Sequence, residues 1–178
     1  MALGPADNLM PPTHELPISD QGDHSHAWTR YNQDVADRLN GVHRGVVDGS
    51  NAKAGDVGEY LSASGGSAGI PSNVPQNVVA LALPAGDWDV WGFVTFTPAA
   101  ATHPLALAAG VSVVSGGFDR ESSVITGTFA TGTQCTLGTP GPSQFNLAGP
   151  ALAYLVAQAV FTGGGMTASG TIKARRAR

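Results

Sequence analysis

Hydrophobic residues recur with two different periods along this chain. Between Ser25 and Leu39 they are three or four positions apart, which places them on one side of an α-helix. The stripe consists of Trp28, Tyr31, Val35, Leu39 and then Val42. Gly41 is well placed to end this helix. After the turn-rich residues 48–51 the period becomes two, which is typical of β-strands.

The period-two region contains seven candidate strands separated by turns rich in Gly, Pro, Ser and Thr. They span residues 57–64, 76–83, 87–97, 105–115, 123–130, 151–162 and 166–176. No helical pattern lies between them, so we predict a mainly β fold, an antiparallel β-sandwich or jelly roll over residues 48–178. The order of the strands stays open, because periodicity does not distinguish a jelly roll from another Greek-key sandwich.

The strand at residues 87–97 alternates between two kinds of surface. One face is predicted to be core and carries Trp88, Val90, Gly92, Val94 and Phe96. The other face carries Asp89, Trp91 and Phe93. Exposed aromatic rings on a sheet form either a contact with another subunit or a platform on which sugar rings stack. Both interpretations remain open, and these three residues are the candidate glycan contacts.

Two features predict self-association. The strand at residues 151–161 is apolar on both faces, which is expected when one side packs inward and the other meets a second subunit at Tyr154 and Val156. The helical stripe can be buried by its own β domain or by identical copies around an axis. Under the second alternative, residues 24–47 form a trimerising helix and linker whose contacts are Trp28, Tyr31, Val35 and Leu39.

Residues 1–23 have a different character. Four prolines, at positions 5, 11, 12 and 17, lie among polar residues, so this segment is predicted to be an extended arm that orders only against a partner. Its sparse apolar residues are the candidate anchors on that partner, and they are Leu3, Leu9, Met10, Leu16 and Ile18.

Charge is scarce and unevenly distributed. Charged residues make up 12% of the chain, against about 25% in a typical soluble domain. Residues 1–60 hold 13 of them, residues 61–172 hold five and residues 173–178 hold four. A net charge of −4 argues against a dedicated nucleic-acid-binding protein. The terminal cluster of Lys173, Arg175, Arg176 and Arg178 is either a solvated strand end or a contact for phosphate groups or a surface polysaccharide.

Targeting and redox signals are few. The N-terminus lacks the pattern of a secretory signal, and no apolar run approaches the ~18 residues of a membrane helix, so we expect assembly in a cytoplasm and no membrane insertion. Cys135 is the single cysteine, which excludes an intramolecular disulfide. It lies in a loop-like stretch without basic neighbours and is predicted to be unreactive.

Three patterns could support chemistry, and each has a simpler explanation. Gly65–Gly69 matches the GxSxG string of a hydrolase around Ser67, but no helix follows, so a flexible loop is predicted. The acids Asp87, Asp89, Asp119 and Glu121 could cleave glycosides, but the first two follow a turn, where acids are common. His24 and His26 are the candidate metal ligands, although histidines in such polar segments are usually solvated. We therefore predict no enzymatic activity, no metal and no cofactor.

Five strings along the chain carry a family resemblance. They are Asp48–Ala52, Gly55–Ser62, Ala85–Val90, Tyr154–Ala159 and Ile172–Arg176. In their order they resemble a group of tailed-bacteriophage and prophage virion proteins, the tail-fibre or head-fibre proteins, over roughly residues 45–178. The segment from Trp28 to Leu39 is also similar to the short helix that precedes such domains.

The resemblance implies a homotrimeric β domain that projects from the virion and is held there by an N-terminal segment. It implies no cofactor and no catalytic residues. The arm would dock on a capsid, connector or tail protein. We therefore expect a structural component of the virion, and the alternative is an adhesin that binds host surface polysaccharide.

Overall fold

A computed structural model describes residues 28–33, 35–36, 52–127 and 129–177. The chain divides into two units, Met1–Ser50 and Asn51–Arg178. In the first unit, residues 28–33 and 35–36 are helical, as predicted. Trp28, Tyr31 and Val35 are half-buried while the other described helical positions are exposed, and the rings of Trp28 and Tyr31 meet edge to face at 5.7 Å. Leu39 and the anchoring arm lie outside the described residues.

The second unit is built from nine strand segments. They are β1 (Tyr60–Ile70), β2 (Gln76–Leu83), β3 (Gly86–Pro98), β4 (His103–Ser112), β5 (Ser122–Thr126), β6 (Cys135–Gly138), β7 (Ser143–Leu147), β8 (Ala151–Thr162) and β9 (Met166–Arg176). All pairs of named strands are antiparallel. The predicted mainly β fold is confirmed.

The strand order identifies the sandwich as a jelly roll. The first sheet runs β1–β9–β3 and ends in β6 and β7, which both pair with β3. Phe96 to Phe93 pair with β6 and Val90 to Gly86 pair with β7, so these two segments are one strand interrupted by an irregular turn. The second sheet runs β2–β8–β4–β5. Two four-stranded sheets in this order are the double Greek key of a jelly roll, which settles the strand order that the sequence leaves open.

The core lies between the sheets and follows the predicted alternation. On β3, Trp88 is 1% exposed, while Val90, Val94 and Phe96 are 0% exposed. The facing sheet contributes alternate residues of β4 and β8, which are Leu107, Ala109, Val111, Ala153, Leu155, Ala157 and Ala159. A Cβ added at Gly92 would lie 2.9 Å from a methyl carbon of Leu155 and 2.6 Å from the Thr171 carbonyl oxygen. Glycine at this position is therefore required by close packing between and within the sheets.

Residues 131–150 depart from the prediction. They were expected to contain only turns, but they form β6 and β7. Cys135 is the first residue of β6 and is half-buried, so its assignment to a loop is wrong. In β7 the residue that points inward and is fully buried is Phe145, flanked by polar Gln144 and Asn146. A short edge strand with one dominant core residue gives too weak an alternation to be recognised.

The string at Gly65–Gly69 is also placed differently from the prediction. It lies within β1 and not in a flexible loop. The register between β1 and β9 shifts between Gly65 and Ala68, which is a β-bulge that leaves Ser67 exposed. Because the chain continues as a strand, the strand–turn–helix geometry of a hydrolase elbow does not form here.

Arg176 closes one end of the sandwich and is not a solvated strand end. Its side chain is 8% exposed, and its Nε donates a hydrogen bond of 3.0 Å to Oε2 of Glu59, whose side chain is 7% exposed. Its Nη1 donates to the Ala85 carbonyl at 2.9 Å, and the guanidinium lies 4.4 Å from the ring centroid of Trp88. The Gly55 N–H donates to the same Glu59 oxygen at 2.8 Å. We call these five residues the clasp.

Candidate functional site

The outer surface of the first sheet carries the candidate glycan contacts. We call it the aromatic face and define it by Tyr60, Asp87, Asp89, Trp91, Phe93, Lys173 and Arg175. Trp91 lies opposite Lys173 on β9, and Asp89 lies opposite Arg175, which in turn lies opposite Tyr60 on β1. Cross-strand partners point to the same side of a sheet, away from the core residues between them.

Aromatic rings are accessible on this face. The rings of Tyr60 and Trp91 lie 6.4 Å apart with an interplanar angle of 53°. Phe93 is 39% exposed and Tyr60 is 37% exposed, while Trp91 and Asp89 are half-buried. The structure thus places the three predicted residues on one surface. The structure also places Tyr60, Lys173 and Arg175 on this surface. The sequence alone could not group them with the three predicted residues, because it does not show which strands pair or in which register.

A polar cleft opens at the edge of the sandwich beside β7. This edge cleft has a volume of about 510 Å³ and is lined by Asp119, Arg120, Glu121, Pro142, Ser143 and Gln144. Arg120 lies 3.8 Å from a carboxylate oxygen of Asp119, and its guanidinium is 5.5 Å from the ring centroid of Phe145. The other Asp119 oxygen accepts a hydrogen bond of 3.2 Å from the Val113 N–H. These contacts place Asp119 and Arg120 at the wall of the cleft.

The outer surface of the second sheet is apolar. We call it the apolar face and define it by Ala80, Ala82, Val124, Leu152, Tyr154 and Val160. Val124 is 59% exposed and Leu152 is 46% exposed. A cavity of about 190 Å³ lies between Val124 and Val160, with Asn73 and Gln158 at its polar rim. No residue on the outward positions of strands β2, β8, β4 and β5 as described is charged.

Part of this sheet is covered by the chain itself. Val156 is 0% exposed but does not belong to the core between the sheets. Its cross-strand partner Gly110 lies under Phe118, whose ring would be 2.9 Å from a Cβ at that position. Asn77 holds this loop by accepting from the Gly116 N–H at 2.8 Å and donating to Ser115 at 2.7 Å. Of the predicted contact pair, only the half-buried Tyr154 can meet a partner.

The remaining candidates form no reactive constellation in the part of the chain that is described. Ser67 has no hydrogen bond to His103, whose ring contacts Thr131 at 3.3 Å. No group of three or more His, Cys, Asp or Glu residues is arranged to hold a metal among the described residues, and His24 and His26 lie outside them. Within the same ranges, no helix has the length and hydropathy needed to cross a membrane.

Comparison with known proteins gives structural matches alone. No family model matches the chain, and no curated protein matches it. A structure of the infectious bursal disease virus Gx strain matches with a TM-score of 0.43 and 12% identity, covering 76% of this chain and 37% of that one. A crystal structure of the VP2 subviral particle of the same virus matches with a TM-score of 0.43 and 11% identity, covering 76% and 38%. This chain thus spans less than two fifths of either. The jelly-roll assignment rests on strand order and not on these matches.

Proposed function

We propose that this protein is a non-enzymatic structural component of a bacteriophage virion. It forms a short homotrimeric fibre or decoration protein on the head, neck or tail, with its β domain outward. The apolar face carries this proposal, because an apolar sheet surface without charge is stabilised when another protein covers it. The resemblance of five ordered strings to phage fibre proteins supports the choice of a virion.

The occupant of the apolar face is a second copy of this chain. An identical subunit presents the same uncharged surface, and the cavity beside Val124 offers a recess for an apolar side chain such as the 46% exposed Leu152. A charge-poor domain buried between subunits also explains how 112 residues, 61–172, tolerate five charged side chains. The helical stripe contributes further contacts through Trp28, Tyr31, Val35 and Leu39.

The N-terminal arm mounts the trimer on the particle. Residues 1–23 dock on a capsid, connector or tail protein through Leu3, Leu9, Met10, Leu16 and Ile18. The protein is made in the host cytoplasm and resides in the virion.

Sedimentation equilibrium tests this proposal with the full chain. Wild type sediments as a trimer at micromolar concentration, and Val124→Glu dissociates because the new carboxylate would be buried without a partner. Ser62→Glu is the matched control, since it adds the same charge to an exposed strand position on the other sheet. A folded monomer of wild type at this concentration contradicts the proposal, as does equal dissociation of both variants.

A second function, adhesion to host surface glycans, is favoured by one observation. The exposed Tyr60 ring lies 6.4 Å from the half-buried Trp91 ring, next to the exposed Phe93. Aromatic rings that are flanked by polar groups are the usual means by which a protein surface holds the apolar face of a sugar. Trp91→Ala removes half of the pair, and binding to a glycan array should fall with it. Equal array binding by this variant and wild type contradicts the second function.

A further inference from the structure

We propose that the aromatic face and the edge cleft form one continuous site for an uncharged oligosaccharide. The proposal rests on the adhesive function above and extends it from a stacking platform to a defined track. Its new members are Gln144, Glu121 and Arg120, and its ligand is a neutral sugar chain rather than a polyanion.

Gln144 connects the two surfaces. It lies opposite Asp89 in the pairing of β7 with β3, and it also lines the edge cleft. Tyr60, Arg175, Asp89 and Gln144 occupy successive strands in one cross-strand row. Three strand spacings place the ends of this row about 14 Å apart. The row therefore crosses the whole sheet and opens into the cleft at its edge.

The distribution of charge marks the same track. The five charged residues between positions 61 and 172 are Asp87, Asp89, Asp119, Arg120 and Glu121. The first two lie on the aromatic face and the last three line the edge cleft. The proposed trimer covers the apolar face, whose described outward positions carry no charge. All five charges therefore lie on the surface that stays open to a ligand.

The chemistry of the track fits a polyhydroxylated ligand. Its aromatic end offers the rings of Tyr60 and Trp91 to the C–H groups of a sugar. Its cleft end offers carboxylates that accept hydrogen bonds, a guanidinium that donates them and the Gln144 amide, which can do both. Because each hydroxyl group of a sugar can both donate and accept a hydrogen bond, it can bind any of these groups.

The charges also balance, which selects against an anionic ligand. On the aromatic face, Asp87 and Asp89 offset Lys173 and Arg175. In the cleft, Arg120 stands between Asp119 and Glu121, which leaves the whole track with one net negative charge. Nucleic acids and polyuronic acids need a surplus of Lys and Arg along their path. A neutral sugar chain needs no such surplus of positive charge.

The test is a binding series with the full-length protein and a defined panel. The panel holds gluco-, galacto-, manno- and rhamno-oligosaccharides of one to six units, together with their uronic-acid counterparts. Wild type binds a neutral member, and its affinity rises with chain length before it levels off. Gln144→Ala and Glu121→Gln each weaken binding of the long chain by about threefold to tenfold, the effect of one lost hydrogen bond, without changing binding of the single sugar. Gln134→Ala is the matched control, because it removes the same exposed amide from the loop before β6, which pairs with the other end of β3, and it leaves both affinities unchanged.

The outcomes separate the two proposals. Binding that depends on Trp91 but is unaffected by Gln144→Ala and Glu121→Gln leaves adhesion intact and overturns the track. Preference for the uronic-acid chains overturns the assignment to a neutral ligand. No binding of any panel member by wild type overturns adhesion and the track together, while the trimeric structural role stands on its sedimentation test.

Discussion

Breaking the clasp should destabilise the β domain far more than its position at the end of the chain suggests. We consider Arg176→Met, which keeps the length and apolar stem of the side chain but removes the guanidinium. The Glu59 carboxylate then retains the Gly55 N–H as its donor but loses the charge that balances it. The Ala85 carbonyl loses its Arg176 donor as well.

The burial of both partners sets the magnitude. With side chains only 7% and 8% exposed, neither group can recover its interaction with water when the other is removed. Removing one member of such a pair costs about 3–5 kcal/mol. Against a total stability of about 5–15 kcal/mol for a domain, this is a large fraction. Glu59→Gln should cost a similar amount because it leaves the guanidinium charge buried and unpaired.

Guanidinium chloride unfolding, followed by tryptophan fluorescence at one fixed protein concentration, measures these costs. Arg120→Met is the control, because the Arg120–Asp119 pair is 3.8 Å apart and the Arg120 side chain is 44% exposed, so it should contribute less than about 1 kcal/mol. The double variant Glu59→Gln/Arg176→Met should lose less stability than the two single variants lose together, since it leaves no unpaired charge. Single clasp variants that cost no more than the control, or a strictly additive double variant, would refute this reasoning.

Other predictions follow from the packing and from the proposed mount. Gly92→Ala should destabilise the domain by about 1–3 kcal/mol in chemical denaturation, because its Cβ would overlap the facing sheet, while Gly66→Ala, with open space around it, stays within about 0.5 kcal/mol of wild type. Val35→Asp should shift the trimer towards monomer in sedimentation, and an unchanged association constant would remove the helix from the interface. Deletion of residues 1–23 should leave a folded trimer that is absent from purified virions, and normal copy number on the particle would mean that another segment makes the attachment.

Alternation along the chain was enough to predict the sandwich and its main core. Trp88, Val90 and Phe96 are buried as predicted because a long strand with many large side chains repeats its signal. The interrupted strand was missed because Phe145 is its one fully buried residue. Hydrophobic alternation can be recognised only when it repeats several times, and a short edge strand contains few repeats.

The candidate site could be predicted only in part, for a related reason. Alternation within one strand was enough to place Asp89, Trp91 and Phe93 on one face. It could not show which residues of other strands lie beside them, because the register depends on both strands of a pair. Tyr60 is 31 positions away from Trp91 in the sequence, yet their rings meet across β9. Arg176 looked like one of four similar terminal charges, because nothing in the local sequence shows that Glu59 and Trp88 surround it.

The clasp also determines how the β domain bears a mechanical load. Because β1 and β9 are antiparallel, with Tyr60 opposite Arg175, the chain enters the first strand and leaves the last strand at the same end of the sheet. A force that pulls these two ends apart therefore opens the ladder one hydrogen bond at a time, which is unzipping, and does not shear all the bonds at once. The first contacts under tension would be the Glu59–Arg176 ion pair and the backbone bonds beside it, from the Gly58 N–H to the Arg176 carbonyl and from the Arg176 N–H to the Glu59 carbonyl. The clasp therefore strengthens the end of the sheet at which unzipping would start.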